Sequence, residues 1–345
     1  MCVYVAMWLS CRIVARNHIT CPRPTFFHPT IIAFAVSMSS QSDRRYLIVS
    51  PCRNEAEYMR RTLQSVVAQT VTPALWVIVD DGSTDETPEI LAEYAAQHDW
   101  IRVVSKPDRG HRAVGPGVIE AFYFGLDTAG VDYPYLCKLD LDLDLSSGYF
   151  EELIERMEKD PRIGTCSGKP YIRRGNTLVS EHRGDEMSVG MTKFYRRSCF
   201  DAIGGFVREV MWDAIDCHKA RQLGWKAVSW DTPELRFEHL RPMGSSQTSI
   251  YTGRRRHGFG QYFMGSDPLY FIATAAFRGL EAPYVLGGLS MLQGYFGAWL
   301  RRDDRLDDPN LRAFIRSYQR RALFVGRAKA IAEIDEKQAA LFDAA

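Results

Sequence analysis

The sequence predicts an α/β protein: an open, mostly parallel, Rossmann-like sheet with helices on both faces. Three observations predict it. Short, almost wholly apolar runs recur between residues 46 and 139, each the length of a buried strand. Segments with apolar residues at helical spacing lie between them. Each unusual polar cluster falls where an apolar run ends, and ligands of open sheets bind beyond the carboxyl ends of the strands.

Tyr46–Ser50 (YLIVS) reads as the first strand. Asn54 is placed to cap the next segment, in which Met59, Leu63, Val66 and Val67 recur at helical spacing. Leu75–Val79 (LWVIV) is the second strand, and Ser83 or Thr84 is expected to cap a helix carrying Ile90, Leu91 and Tyr94. Ile101–Ser105 is a third strand, Val118–Leu126 a helix and Tyr135–Leu139 a fourth strand. This domain is expected to span 44–242. Residues 1–43 are expected to lie outside the fold. Their apolar opening is too short to cross a bilayer and lacks the basic start and cleavage site of a signal peptide, so Met38 is the expected start. Residues 243–345 are expected to form a helical, membrane-associated region. Within it Pro283–Leu300 is charge-free, glycine-rich and flanked by Arg278, Arg301 and Arg302. Interfacial attachment to a membrane is the expectation, with a closely packed core helix as the alternative.

The chain has 345 residues, 43 basic and 42 acidic, for a net charge of +1, which gives no sign of a nucleic-acid partner. The eight cysteines are scattered without a paired motif, so buried thiols in a reducing, cytoplasmic setting are expected rather than a zinc site or a disulfide framework.

Three clusters carry the chemistry. Pro51-Cys52-Arg53-Asn54-Glu55 follows the first strand, and Asp80-Asp81-Gly82-Ser83-Thr84-Asp85 follows the second. Carboxylates there can accept hydrogen bonds from a base or a ribose, although DGS is also ordinary turn chemistry. The third cluster is Lys138-Leu139-Asp140-Leu141-Asp142-Leu143-Asp144. Alternate residues of a strand share a face, so three carboxylates are expected to project together. Three like charges are costly unless a cation joins them, and oxygen ligands suit Mn²⁺ or Mg²⁺ better than zinc.

Together these clusters resemble the family 2 glycosyltransferases of the GT-A fold over roughly residues 44–242. Pro51, Arg53, Asn54 and Glu55 match the family's segment after the opening strand. Val79–Asp85 matches VDDGSTD, and Asp140 with Asp142 matches DxD; Asp142 with Asp144 also reads as DxD. The resemblance implies that Glu55 and Asp81 hold the nucleobase, with Pro51, Arg53, Asp80 and Arg112 at the donor. Asp140 would lie on the ribose side and Asp142 on the metal, with Asp144 and His239 as further metal candidates. Arg109, Arg196 and Arg197 are further candidates for phosphate or an acidic acceptor.

Ile203-Gly204-Gly205-Phe206 followed by Trp212–Asp216 resembles the family's GGF segment and acidic acceptor motif, with Ala214 in place of one acid. Asp213 and Asp216 are the candidate bases. At i, i+3 they would share a helix face, and Asp213 is preferred, with Trp212 as an apolar wall for a sugar ring. The QxxRW motif of processive synthases is absent, which favours single additions. The resemblance implies an inverting, metal-dependent transfer from a nucleotide-sugar donor, a UDP-sugar by preference. The acceptor would be a glycan or a polyprenyl-linked glycan in exopolysaccharide assembly, at the inner face of the cell membrane. A sugar nucleotidyltransferase would instead show a glycine-rich basic loop after the first strand. A catalytically inactive scaffold in a membrane complex is the second rival. A dinucleotide oxidoreductase is disfavoured because no GxGxxG follows that strand.

Overall fold

The computed structural model describes residues 43–108, 110, 115–130, 132–182, 184–241, 249–280 and 283–343. The extension read at 1–43 therefore falls, but for its last residue, outside the described residues.

β1 (Tyr46–Cys52), α1 (Met59–Val67), β2 (Leu75–Asp80), α2 (Thr87–Gln97), β3 (Ile101–Ser105), α3 (Pro116–Ala129) and β4 (Tyr135–Leu139) follow the order read from the sequence. β5 (Leu143–Asp144), α4 (Tyr149–Lys159), β6 (Ile163–Ser167), β7 (Lys169–Arg174), β8 (Thr177–Ser180), β9 (Thr192–Arg196), α5 (Arg197–Ala202), α6 (Trp212–Gln222), β10 (Lys226–Ser229) and β11 (Arg236–His239) complete the α/β part. A seven-stranded sheet runs β10-β6-β9-β4-β1-β2-β3, with β9 antiparallel to both of its neighbours. A smaller sheet runs β5-β11-β7-β8.

The apolar runs are continuous because the large sheet is covered on both faces. Tyr46 and Ile48 point to one face, where Met59, Leu63, Leu91 and Phe150 pack. Leu47 and Val49 point to the other, against Ile119, Phe122, Phe200 and Trp212.

Strand order positions the site. β1 lies between β2 and β4, parallel to both, with Cys52 opposite Asp80 and Val49 opposite Lys138. The segments that follow these three strands therefore emerge side by side.

The expected helix caps are not the ones used. No side chain caps α1, whose preceding residue is Tyr58, and Asn54 bonds to the neighbouring loop instead. At α2 it is Asp85, not Ser83 or Thr84, that accepts from the Thr87 N–H, at 3.0 Å. These residues join loops rather than start helices.

The C-terminal region is helical: α7 (Ile250–Met264), α8 (Pro268–Arg278), α9 (Val285–Arg301), α10 (Pro309–Val325), α11 (Arg327–Lys337) and α12 (Ala339–Asp343). Asp267 and Asp308 cap α8 and α10, each followed by proline at the first helical position. Leu311 and Ile315 of α10 pack on Ile215 of α6, so these helices continue the α/β part in one compact unit.

α9 is 17 residues long, about 25 Å at 1.5 Å per residue and short of a bilayer core of roughly 30 Å. Among the described residues no helix is long and apolar enough to cross a membrane. One face of α9 is the close-packed helix foreseen as the alternative. Gly258 of α7 lies against the Met291 carbonyl, and Gly294 of α9 lies against the Arg255 carbonyl. Gly294→Ala should therefore lower stability by about 1–3 kcal/mol in urea unfolding, as overpacking does, whereas Gly253→Ala, with open space around it, should lower nothing.

Candidate functional site

The loop after β1 and the loop after β2 are tied together. The Asn54 N–H donates to Ser83 Oγ at 2.9 Å, and the Thr84 N–H returns to Asn54 Oδ1 at 2.8 Å. The Glu55 N–H donates to Thr87 Oγ1 at 2.9 Å. Asn54 has φ +53°, which its short amide side chain tolerates, and Gly82 has φ +77°, with Asp108 backbone where a side chain would begin.

Within these loops the expected donor residues have defined partners. Pro51 pairs across from Val79 at the end of β1. Arg53 spans from the Asp81 carbonyl at 2.5 Å to the Asp108 carboxylate at 2.6 Å, and so braces the second loop. Asp80 is buried and accepts from the Ser83 N–H at 2.9 Å, which closes the DGS turn. Asp81 is buried, with Lys106 Nζ at 3.4 Å. Arg112 and Arg109 lie outside the described residues.

The three aspartates after β4 do not share a face. β4 ends at Leu139, so strand alternation stops before them. Each meets a different cation. Asp140, its side chain about one-third exposed (34%), binds the buried Lys138 ammonium, which also donates to the Gly190 carbonyl at 3.1 Å. Asp142 is buried and accepts from Arg241 at 2.7 and 3.0 Å. Asp144, on β5 in the smaller sheet, meets Arg61 at 2.5 Å, and Arg61 also binds Glu238. As a candidate metal ligand Asp144 is thus separated from the other two.

β11 delivers the remaining site residues. His239 stands 3.7 Å from Asp142 and 2.9 Å from Glu181. Burial pushes its imidazole pKa down, but the neighbouring carboxylates of Asp142 and Glu181 outweigh this and raise it to about 9. Burial pushes the Asp142 carboxyl up, yet His239 and Arg241 hold it at about 2. The Arg241 guanidinium also reaches Glu55 at 3.0 Å, so one cation joins the carboxylates that follow β1 and β4.

Among the described residues no three His, Cys, Asp or Glu side chains form a metal cage. One feature suits a hard cation. Asp142 Oδ1 is buried and has no hydrogen-bond partner among the described residues, while Oδ2 takes both Arg241 bonds. Mg²⁺-type ions use one or two carboxylates and complete their shell with phosphate and water oxygens, so a full protein cage is not required.

Of the two expected bases, Asp213 lies in the first turn of α6, half-buried, with its carboxylate against Gly190. Asp216 does not share that position. It is 1% exposed, bonded to Lys193 at 2.5 and 2.6 Å and to the Tyr195 hydroxyl, so it is enclosed beneath the sheet rather than in the cleft. Trp212 is no open wall either. It is buried, with Lys138 at 5.2 Å and Lys193 at 5.9 Å from its ring. Of the other arginines, Arg196 donates to the Met157 carbonyl at 2.7 Å and Arg197 pairs with Asp201 at 2.9 Å.

Sequence reasoning missed Arg241 and Lys138. Each stands two residues from a chosen candidate, His239 or Asp140, the spacing at which extended backbone returns to the same side.

The profile described as glycosyl transferase family 2 matches residues 47–212, which hold nearly all of β1 to the first residue of α6 and the acidic clusters that follow β1, β2 and β4, and which end before Asp213, Asp216 and His239. Residues 47–212 are a family 2 glycosyltransferase domain. Curated relatives include poly-beta-1,6-N-acetyl-D-glucosamine synthases of Staphylococcus epidermidis, 30% identical over 131 residues, and of Staphylococcus aureus, 29% identical over 131 residues. The match spans 38% of this chain and 29% of each relative. A solved GalNAc-T7, described with UDP, GalNAc and Mn²⁺, superposes with a TM-score of 0.50 at 16% identity, over 77% of this chain and 55% of the other. That likeness is one of fold, and the mixed α/β architecture of the transferase is GT-A.

The buried pair supplies a test. Asp216→Asn strands the Lys193 ammonium, which is fully enclosed, and should cost about 3–5 kcal/mol in chemical denaturation. Asp213→Asn should leave the unfolding free energy within about 0.5 kcal/mol of wild type, as for substitutions outside packed networks.

Proposed function

We propose that this transferase moves a sugar from a UDP-sugar to a glycan or polyprenyl-linked acceptor in polysaccharide biosynthesis, one sugar per encounter, with inversion and with a divalent cation. One observation carries the reading: Glu55, Asp81, Asp140 and Asp142 gather where three adjacent parallel strands end, and Asp213 stands beyond them at the start of α6. The synthases matched over 131 residues support a polysaccharide product and an N-acetylhexosamine donor. The fold neighbour described with UDP and Mn²⁺ is consistent with the donor and the ion.

Glu55 and Asp81 are the groups for the base, and Asp140 for the ribose side. Asp142 would hold Mn²⁺ or Mg²⁺ through its unpartnered Oδ1, with Asp140 and His239 beside it. When bound, the ion neutralises the diphosphate leaving group. Asp213 takes the proton of the acceptor hydroxyl as its oxygen bonds to the anomeric carbon. On the opposite face the bond to the diphosphate oxygen breaks and that oxygen keeps the electron pair. Asp213 is the base in preference to Asp216, because Asp216 is already neutralised by Lys193 within the protein. The domain limits, 44–242 for transfer and 243–345 for the helical region, are part of the same reading, as is peripheral attachment at the inner face of the cell membrane.

Two substitutions separate donor binding from chemistry. Asp142→Ala should abolish Mn²⁺-dependent UDP binding in calorimetry while the thermal melt stays cooperative; unchanged affinity would remove Asp142 from the metal site. Asp213→Asn should retain UDP affinity and lower turnover roughly a hundredfold or more, the loss expected of a general base. Near-full turnover in Asp213→Asn would place the base elsewhere.

A further inference from the structure

The transfer chemistry leaves one large feature unused. Eighteen large apolar side chains are exposed among the described residues, and twelve of them lie between Ile250 and Leu300, which makes them a patch rather than scatter. On α8 the outward positions are Leu269, Ile272, Ala273, Ala276 and Phe277, with Leu280 just beyond. They recur at three- and four-residue spacing, the signature of one helix face, and none is charged. The opposite side of α8, through Phe271 and Ala275, packs with Met291 and Tyr295 of α9. α9 adds Val285, Leu286 and Leu289 outward, away from its buried glycines. Exposure is high at the hairpin's turn: Phe277 64%, Leu280 75% and Val285 67%.

An exposed cation stands at the near edge of this face. Arg255 of α7 is exposed and shares a shallow groove with Tyr251, Leu286, Leu289, Ser290 and Gln293. Arg301 and Arg302 are exposed at the far end of α9, where Arg301 pairs with Asp303 at 2.6 Å and Asp304 is exposed as well.

We propose that the α8–α9 face seats in the interfacial zone of an anionic bilayer, with the apolar side chains among the upper acyl chains and the arginines at headgroup level. The proposal rests on the peripheral attachment stated above and assigns it to a surface and a lipid chemistry. A second copy of the chain would bring the same uncharged face and the same arginines, whereas anionic headgroups supply the opposite charge. α7 links this face to the transfer site. One side of it packs on α9, and on another Gly260 lies against Val210 and Met211, directly before Asp213. A lipid-linked acceptor held at the bilayer would thus be presented beside the acceptor motif.

Cosedimentation tests this with vesicles of pure phosphatidylcholine and of equal parts phosphatidylcholine and phosphatidylglycerol. Wild type and a control, Leu178→Glu on β8, should bind the anionic vesicles, less so at high salt. The double variant Leu280→Glu/Leu286→Glu should bind roughly tenfold or more weakly, and Arg255→Glu should lose affinity on the anionic vesicles alone. Unchanged UDP affinity and thermal melts show that the variants are folded. If the double variant binds as wild type does, this face is the wrong surface while peripheral attachment stands. If wild type binds neither vesicle, attachment itself falls. A concentration-dependent dimer that the double variant abolishes, without vesicle binding, makes the occupant a second copy and overturns the proposal.

Discussion

Everything at the site depends on how the protein neutralises carboxylates crowded at the ends of β1, β2 and β4. Like charges this close raise each other's free energy unless cations stand between them. Three of them have a cation each: Lys106 for Asp81, Lys138 for Asp140, Arg61 for Asp144. Arg241 is shared, reaching both Glu55 and Asp142. It follows the last strand of the smaller sheet, so the large sheet's acidic loops are held together by a residue contributed from outside that sheet.

A second layer of charge lies beneath the first. Lys138 and Lys193 are both buried and both stand within 6 Å of the Trp212 ring. Burial alone would push the Lys193 ammonium down, and Asp216 holds it up instead. Lys138 binds Asp140 on the donor side and the Gly190 carbonyl, and Gly190 in turn supports Asp213. Asp140 and Asp213 are thus spaced by buried side chains of the core. Positions set this way would suit the in-line displacement proposed above, which is sensitive to small errors of distance.

The helical region divides its labour by face. Where α7 and α9 meet, glycine lets the backbones approach until carbonyls touch Cα atoms. The outward face of α8 and α9 is apolar and uncharged. A segment that hydropathy alone leaves between a core and a membrane surface packs closely on one side and exposes uncharged apolar side chains on the other.

The strands β1 to β4 and the α3 helix were legible in the sequence because a strand covered on both faces must be apolar along its whole length. The clusters at their ends were legible because polar residues there interrupt that pattern abruptly. β9 was not: TKFYR carries a lysine and an arginine, and Lys193 is at home in the interior only because Asp216, twenty-three residues later, arrives beside it. The roles of Asp216 and Asp144 were likewise open, since i, i+3 and i, i+2 spacing describe what one helix or strand can present, not what the rest of the fold places against it. The sequence by itself determined the order of elements up to β4 and the acidic clusters, which follow from local periodicity, and its motifs carried the glycosyltransferase resemblance. Only the tertiary structure decided which carboxylates meet, that Arg241 and Lys138 belong with them, and that Asp216 is a buried counterion, because charge pairing depends on distances across strands that no local pattern encodes.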